Sequence, residues 1–130
     1  MPNYRHDHVH LISPNALETA QFYERVLNAK RVNTRKSDDG LTTVELNISG
    51  SRVLVGEPRV QPTSAPNPSG NVYGLVHFGV KTDNIEAAVA DLKAKGVQFR
   101  DEIRVGTSGK RIAFFWAPEN VVIELLESTD

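Results

Sequence analysis

Residues 75–96 read LVHFGVKTDNIEAAVADLKAKG, and their pattern sets the architecture. Val76, Phe78 and Val80 point one way and His77 and Gly79 the other, the period-2 signature of a half-buried strand over residues 75–81. A helix follows. Asp83 is placed to cap it, with Glu86 as the partner three residues on in a capping box. Ile85, Val89 and Leu92 form its apolar stripe with Ala88 beside it, and Gly96 stands where a helix end favours positive φ.

The beginning of the chain repeats this plan. In residues 8–11 (HVHL), Val9 and Leu11 share one face, and His8 and His10 the other. Ser13 and Pro14 cap and start a helix whose stripe is Leu17, Ala20, Tyr23 and Leu27, with Val26 adjacent. His8 stands seven residues before Asn15, as His77 does before Asn84, and Asn28 ends the first helix where Gly96 ends the second. This is an internal duplication of two half-domains.

A chain of 130 residues fits a single domain with a real core. Its net charge of −1 leaves no electrostatic footprint for nucleic acid or an anionic membrane. The absence of cysteine excludes disulfides, thiolate metal ligands and cysteine nucleophiles. With neither an apolar leader nor a membrane-length apolar run, the expectation is a soluble cytoplasmic protein.

The first module, residues 5–58, continues with a short strand at 30–33, a polar turn at 35–40 (RKSDDG) and a strand at 41–48. Val44, Leu46 and Ile48 face the core there, and Thr43, Glu45 and Asn47 the other side. After a turn at 49–51 comes a strand at 52–56, with Val53 and Val55 inward and Leu54 opposite. Residues 59–72, with three prolines and no periodicity, read as a linker. The second module, residues 73–127, adds a short strand near 97–100, a loop at 105–110, a strand at 111–116, the APEN turn at 117–120 and a strand at 121–126. The expected fold is α+β, a pair of βαβββ modules.

The turns supply a register for the repeat. Gly50 precedes Leu54 by four residues, and Asn120 precedes Glu124 by four, so Leu54 and Glu124 are equivalent, as are His8 and His77. By strand parity His8, His77 and Glu124 all leave the face away from the helices, and two curved sheets would turn these faces to a shared cavity. Two imidazoles and a carboxylate suit one divalent ion (Fe, Mn, Ni, Co or Zn) and leave positions open for a chelating substrate.

Four segments carry a family resemblance: DHVHL at 7–11, FYERVLNA at 22–29, HFGVKTDNIEAAVADLKAKGV at 77–97 and RIAFFWAPENVVIELLE at 111–127. In this order they resemble the vicinal oxygen chelate superfamily of glyoxalases, bleomycin-resistance proteins and extradiol dioxygenases. The resemblance implies a cupped, half-barrel site, a small-molecule substrate and a homodimer. It places the family's metal ligands on His8, His77 and Glu124. The fourth ligand of glyoxalase I and methylmalonyl-CoA epimerase falls on Leu54, which cannot ligate.

Glu45, on the inner face of its strand, is the candidate general base. His10 shares the face of His8 and is a candidate substrate contact, as is Arg111 by parity with Ala113 and Phe115; Phe115 and Leu54 would supply an apolar cavity wall. The expected activity is metal-assisted proton transfer or addition, of lyase or isomerase type. An extradiol-type Fe(II) dioxygenase and a non-catalytic drug-binding protein are the alternatives.

Overall fold

The computed structural model describes residues 2–3, 5–60 and 73–130, so the expected linker at 59–72 lies outside the described residues apart from its first two. The chain forms two compact units, Met1–Thr63 and Ser64–Asp130. The first contains β1 (His8–Ile12), α1 (Ala16–Leu27), β2 (Lys30–Lys36), β3 (Thr42–Ile48) and β4 (Ser51–Gly56). The second contains β5 (Phe78–Thr82), α2 (Ile85–Ala94), β6 (Arg104–Val105), β7 (Arg111–Ala117) and β8 (Val121–Glu127). Each builds a four-stranded sheet, ordered β1-β4-β3-β2 and β5-β8-β7-β6. The first and last strands of each unit run parallel, which demands the crossover that the helix and hairpin supply.

Both helices are capped one or two residues later than the sequence suggests. Asn15 accepts the Glu18 N–H and Asn84 accepts the Ala87 N–H, each at 3.1 Å. Ser13 and Thr82 instead close the turns before the caps, each accepting the N–H of the asparagine two residues on. Asp83 therefore caps nothing, and Glu86 reaches Arg111 rather than a capping box. α1 is also rotated relative to the expected stripe. Ala16, Ala20, Tyr23 and Val26 are buried and Leu17 is exposed, because small alanines let the helix approach the sheet closely enough to enclose Tyr23. At the end of α2, Gly96 has φ 85° and closes a Schellman turn, its N–H reaching Lys93 O and that of Val97 reaching Leu92 O.

Three strands differ in extent from expectation. β5 begins at Phe78, not at residue 75. β2 extends to Lys36, and its exposed run of Lys and Arg protects a sheet edge. The strand expected near 97–100 is reduced to a bridge between Phe99 and Phe115. Just beyond it, the Asp101 carboxylate takes the Phe114 N–H at 3.2 Å, the donor that a continuing strand would have used.

A further repeat feature ties the last strand to the helix. Glu57 accepts the backbone N–H groups of Ala16 and Thr42, and Glu127 accepts that of Ile85 and the Arg111 guanidinium. Ala16 and Ile85 are the first helical residues of α1 and α2, where the N–H lacks an intrahelical partner and negative charge is favoured. The Thr42 and Ala16 N–H bonds hold Glu57 below the usual carboxylate range, and the Arg111 and Ile85 bonds do so for Glu127. A depressed folded-state pKa stabilises the fold fully above the unfolded value, about 4.3 for glutamate, and that contribution disappears as pH falls through the folded value. Urea melts should accordingly show stability lost below about pH 4.3. Glu57→Gln and Glu127→Gln should each be less stable at neutral pH and lose less on acidification; unchanged acid limbs in both would contradict the assignment.

The hairpins set side-chain direction. Ser49 and Gly50 close the first in two residues, both at positive φ. The second needs three, Pro118–Asn120, so Ala117 pairs with Val121 and Phe114 with Glu124. The third residue shifts pairing by one and decides which face each β7 side chain takes.

Candidate metal centre

Pairing confirms that the two sheets share a register. His10 opposes Leu54 in the first, and Gly79 opposes Glu124 in the second. His8 and His77, each two residues earlier, are therefore equivalent, as are Leu54 and Glu124.

In the second unit, His77 Nε2 lies 3.0 Å from Glu124 Oε2. Bonds of about 2.1 Å at the right angle of an octahedral ion such as Mn(II) place adjacent donors about 3.0 Å apart, and the tetrahedral angle that zinc prefers places them about 3.4 Å apart. The separation is that of an ion pair and also matches two adjacent octahedral ligands, and both side chains keep partial solvent access. The Phe114 ring meets that of His77 edge-on, with centroids 5.1 Å apart.

In the first unit, His8 Nδ1 lies 2.6 Å from Asp7 Oδ2, which also accepts from Arg52 Nη1 at 2.6 Å. The His8 contact, with help from Arg52, holds Asp7 below the usual carboxylate range. A carboxylate behind an imidazole fixes its tautomer and frees the other nitrogen, here Nε2, as an acceptor or ligand. Sequence reading assigned Asp7 no role, although it opens the DHVHL segment. Leu54, at the position equivalent to Glu124, is buried between His10 and Glu45 and supplies no donor. Among the described residues, no group of three His, Cys, Asp or Glu is placed to hold a metal ion. The structure brings His77 and Glu124 together; His8 belongs to the other unit.

The remaining candidates divide. Glu45 accepts from Arg52 through both oxygens, from Nε at 3.0 Å and Nη2 at 3.2 Å, which holds it below the usual carboxylate range. A carboxylate so engaged is a weaker base, so its geometry favours an ion-pair role over the expected proton abstraction. His10 remains exposed on the open face of β1. Arg111 does not face that side: it grips Glu127 at 3.0 Å and Glu86 of α2 at 2.8 Å, and both carboxylates drive its pKa upward. Phe115 pairs with Ile123, is fully buried and packs on Phe99 at 5.5 Å, so it belongs to the core rather than a cavity wall. Its neighbour Phe114 takes the expected place beside His77, with the Arg100 guanidinium 4.5 Å above its ring. Counting three residues in the APEN turn was the signal that would have found it.

This pair of βαβββ units, with His77 and Glu124 on the sheet face away from the helix, defines a class of protein. The model of the Glyoxalase/Bleomycin resistance protein/Dioxygenase superfamily matches residues 5–125, and the chain belongs to that superfamily, the vicinal oxygen chelate fold. It is 28% identical over 127 residues to the mitochondrial methylmalonyl-CoA epimerase of Homo sapiens, covering 93% of this chain and 72% of that protein. A glyoxalase family protein from Enterococcus faecalis superimposes with a TM-score of 0.81 at 23% identity, covering 95% of this chain and 97% of that one. The fosfomycin resistance protein FosX from Listeria monocytogenes, crystallised as a mutant with Mn(II) and a dihydroxypropylphosphonic acid, superimposes at 0.72 and 18% identity, covering 98% and 95%. The two solved structures establish the shared fold. Among the described residues, no helix is long and apolar enough to cross a membrane.

Proposed function

We propose that this protein is a divalent-metal-dependent enzyme that acts on a small oxygen-chelating substrate by proton transfer or addition. The observation that carries the reading is the 3.0 Å approach of His77 Nε2 to Glu124 Oε2 on the sheet face away from α2. His8, steadied by Asp7 and equivalent to His77 in the repeat, is the proposed third ligand. When bound, the ion would supply Lewis-acid polarisation of substrate oxygens. His8, His77 and Glu124 would hold it, Asp7 would keep the His8 ring oriented, and Phe114 would wall the His77 ring against rotation. The likeness to methylmalonyl-CoA epimerase, an isomerase by name, supports proton transfer over oxygen chemistry.

Metal analysis of protein purified without chelator tests the reading. About one divalent ion per chain is expected, with manganese, nickel, cobalt or zinc supporting this chemistry and iron with oxygen uptake pointing to a dioxygenase. A protein that carries no ion and refuses added ones would leave a ligand-binding role. Glu45→Gln separates its two roles. Loss of a general base lowers turnover about 10²–10⁴-fold, whereas an ion-pair residue should leave turnover within about tenfold and metal content unchanged. The second outcome is expected.

A further inference from the structure

The two sheets share a register, but their open faces differ in character. Gly56 of β4 occupies the place of Leu126 of β8: Thr43 and Ile12 oppose the glycine, and Ile112 and Lys81 oppose the leucine. In the second unit this spot is filled, with Ile112, Phe114 and Val122 buried together and Trp116 and Leu126 packed against them. In the first it is hollow, a cavity of about 430 Å³. A Cβ on Gly56 would lie 2.7 Å from His10 Nε2, so the glycine provides the space in which the imidazole lies.

The cavity's polar lining is predominantly cationic. Beside His10 and the Thr43 hydroxyl stand Arg35, Lys36 and Arg59. The carboxylate in the lining, Glu57, has one oxygen on the Ala16 N–H and the other on the Thr42 N–H, and so is turned to the backbone. Arg59 pairs with Asp39 at 3.1 Å. Lys36 pairs with Thr42, takes the other face and acts on Glu57. Arg35 pairs with Thr43 and shares its face, makes no side-chain hydrogen bond or ion pair among the described residues and reaches Glu45 only through its charge, which leaves one cation beside a ring nitrogen and a hydroxyl. This is the donor set that recognises an oxyanion.

We infer that the cavity over Gly56 binds an anionic oxygen group of the substrate, a carboxylate or a phosphate, through Arg35, His10 and Thr43. The inference rests on the proposed function in one respect, in taking the open face of this sheet as a substrate face. It adds that the substrate carries a charged tail distinct from its chelating oxygens.

The test is an NMR titration of the full chain with inorganic phosphate and, separately, with succinate. Saturable shifts at Thr43 and Gly56 are expected with at least one probe, and the probe that saturates identifies the group. Arg35→Gln should weaken binding about tenfold, the size expected for one charge-assisted hydrogen bond, and Lys36→Gln, on the other face, should weaken it less. Gly56→Ala should weaken it at least as much as Arg35→Gln by displacing the His10 ring, and Lys93→Gln on α2 should change nothing. Thermal melts verify that each variant is folded. Absence of saturation with both probes, or equal binding by wild type and the Arg35 variant, would overturn the inference. Metal content is read on the same samples. Metal without anion binding refutes the cavity alone; anion binding without metal refutes the metalloenzyme alone.

Discussion

Glu124→Ala is expected to strip the divalent ion, lowering metal affinity and turnover by more than about a hundredfold while the fold survives. Losing an outer partner of a metal ligand costs 10–100-fold in affinity or activity, so losing a ligand should exceed that range. His77→Ala should match it, since the two donors lie 3.0 Å apart. Asp7→Asn should fall inside the 10–100-fold range, because it orients His8 and donates nothing to the ion. Glu127→Gln is the informative control. It lies three residues from Glu124 on the same strand but on the opposite face, bound to Ile85 and Arg111, and should keep its metal. Metal analysis of the four proteins beside wild type reads the result. Full occupancy in both the Glu124 and His77 variants would remove the proposed site.

Phe115→Ala should destabilise the protein by about 3–5 kcal/mol, as expected for truncating a buried aromatic whose neighbours cannot collapse into the void. Phe115 is fully buried and packs against the Phe99 ring from the strand opposite Ile123, itself fully buried. Equilibrium urea unfolding measures the loss. Were Phe115 a cavity wall, its truncation would alter substrate affinity and leave stability nearly intact, so a change below about 1 kcal/mol would place it on the wrong face.

Much of this molecule is legible without coordinates. The alternation in HVHL and in VHFGV places each histidine on the face away from the helix, and the seven-residue interval to an asparagine marks the repeat. Observed pairing reproduces the equivalence of His8 with His77 and of Leu54 with Glu124. β7 resisted the same reading because RIAFFWA is apolar on both faces, so a period of two carries no phase. Its phase came from a turn with one residue more than its counterpart, which moved Phe114 to the His77 side and sent Arg111 and Phe115 to the helix side.

The caps and ion pairs follow the same logic. Ser13 and Asn15, like Asp83 and Asn84, are all competent caps, and choosing among them depends on where the backbone leaves the strand. That Arg52 spans Glu45 and Asp7 requires two strands and the segment before β1 to meet in space, and the hollow over Gly56 likewise needs neighbouring strands together. By itself, then, the sequence determined the repeated βαβββ plan, the faces of the histidines and the equivalence of Leu54 with Glu124, because these depend on periodicity along the chain. Tertiary structure alone decided the phase of β7, the partners of Glu45 and Arg111 and the cationic cavity, because each depends on distances between strands that periodicity does not encode.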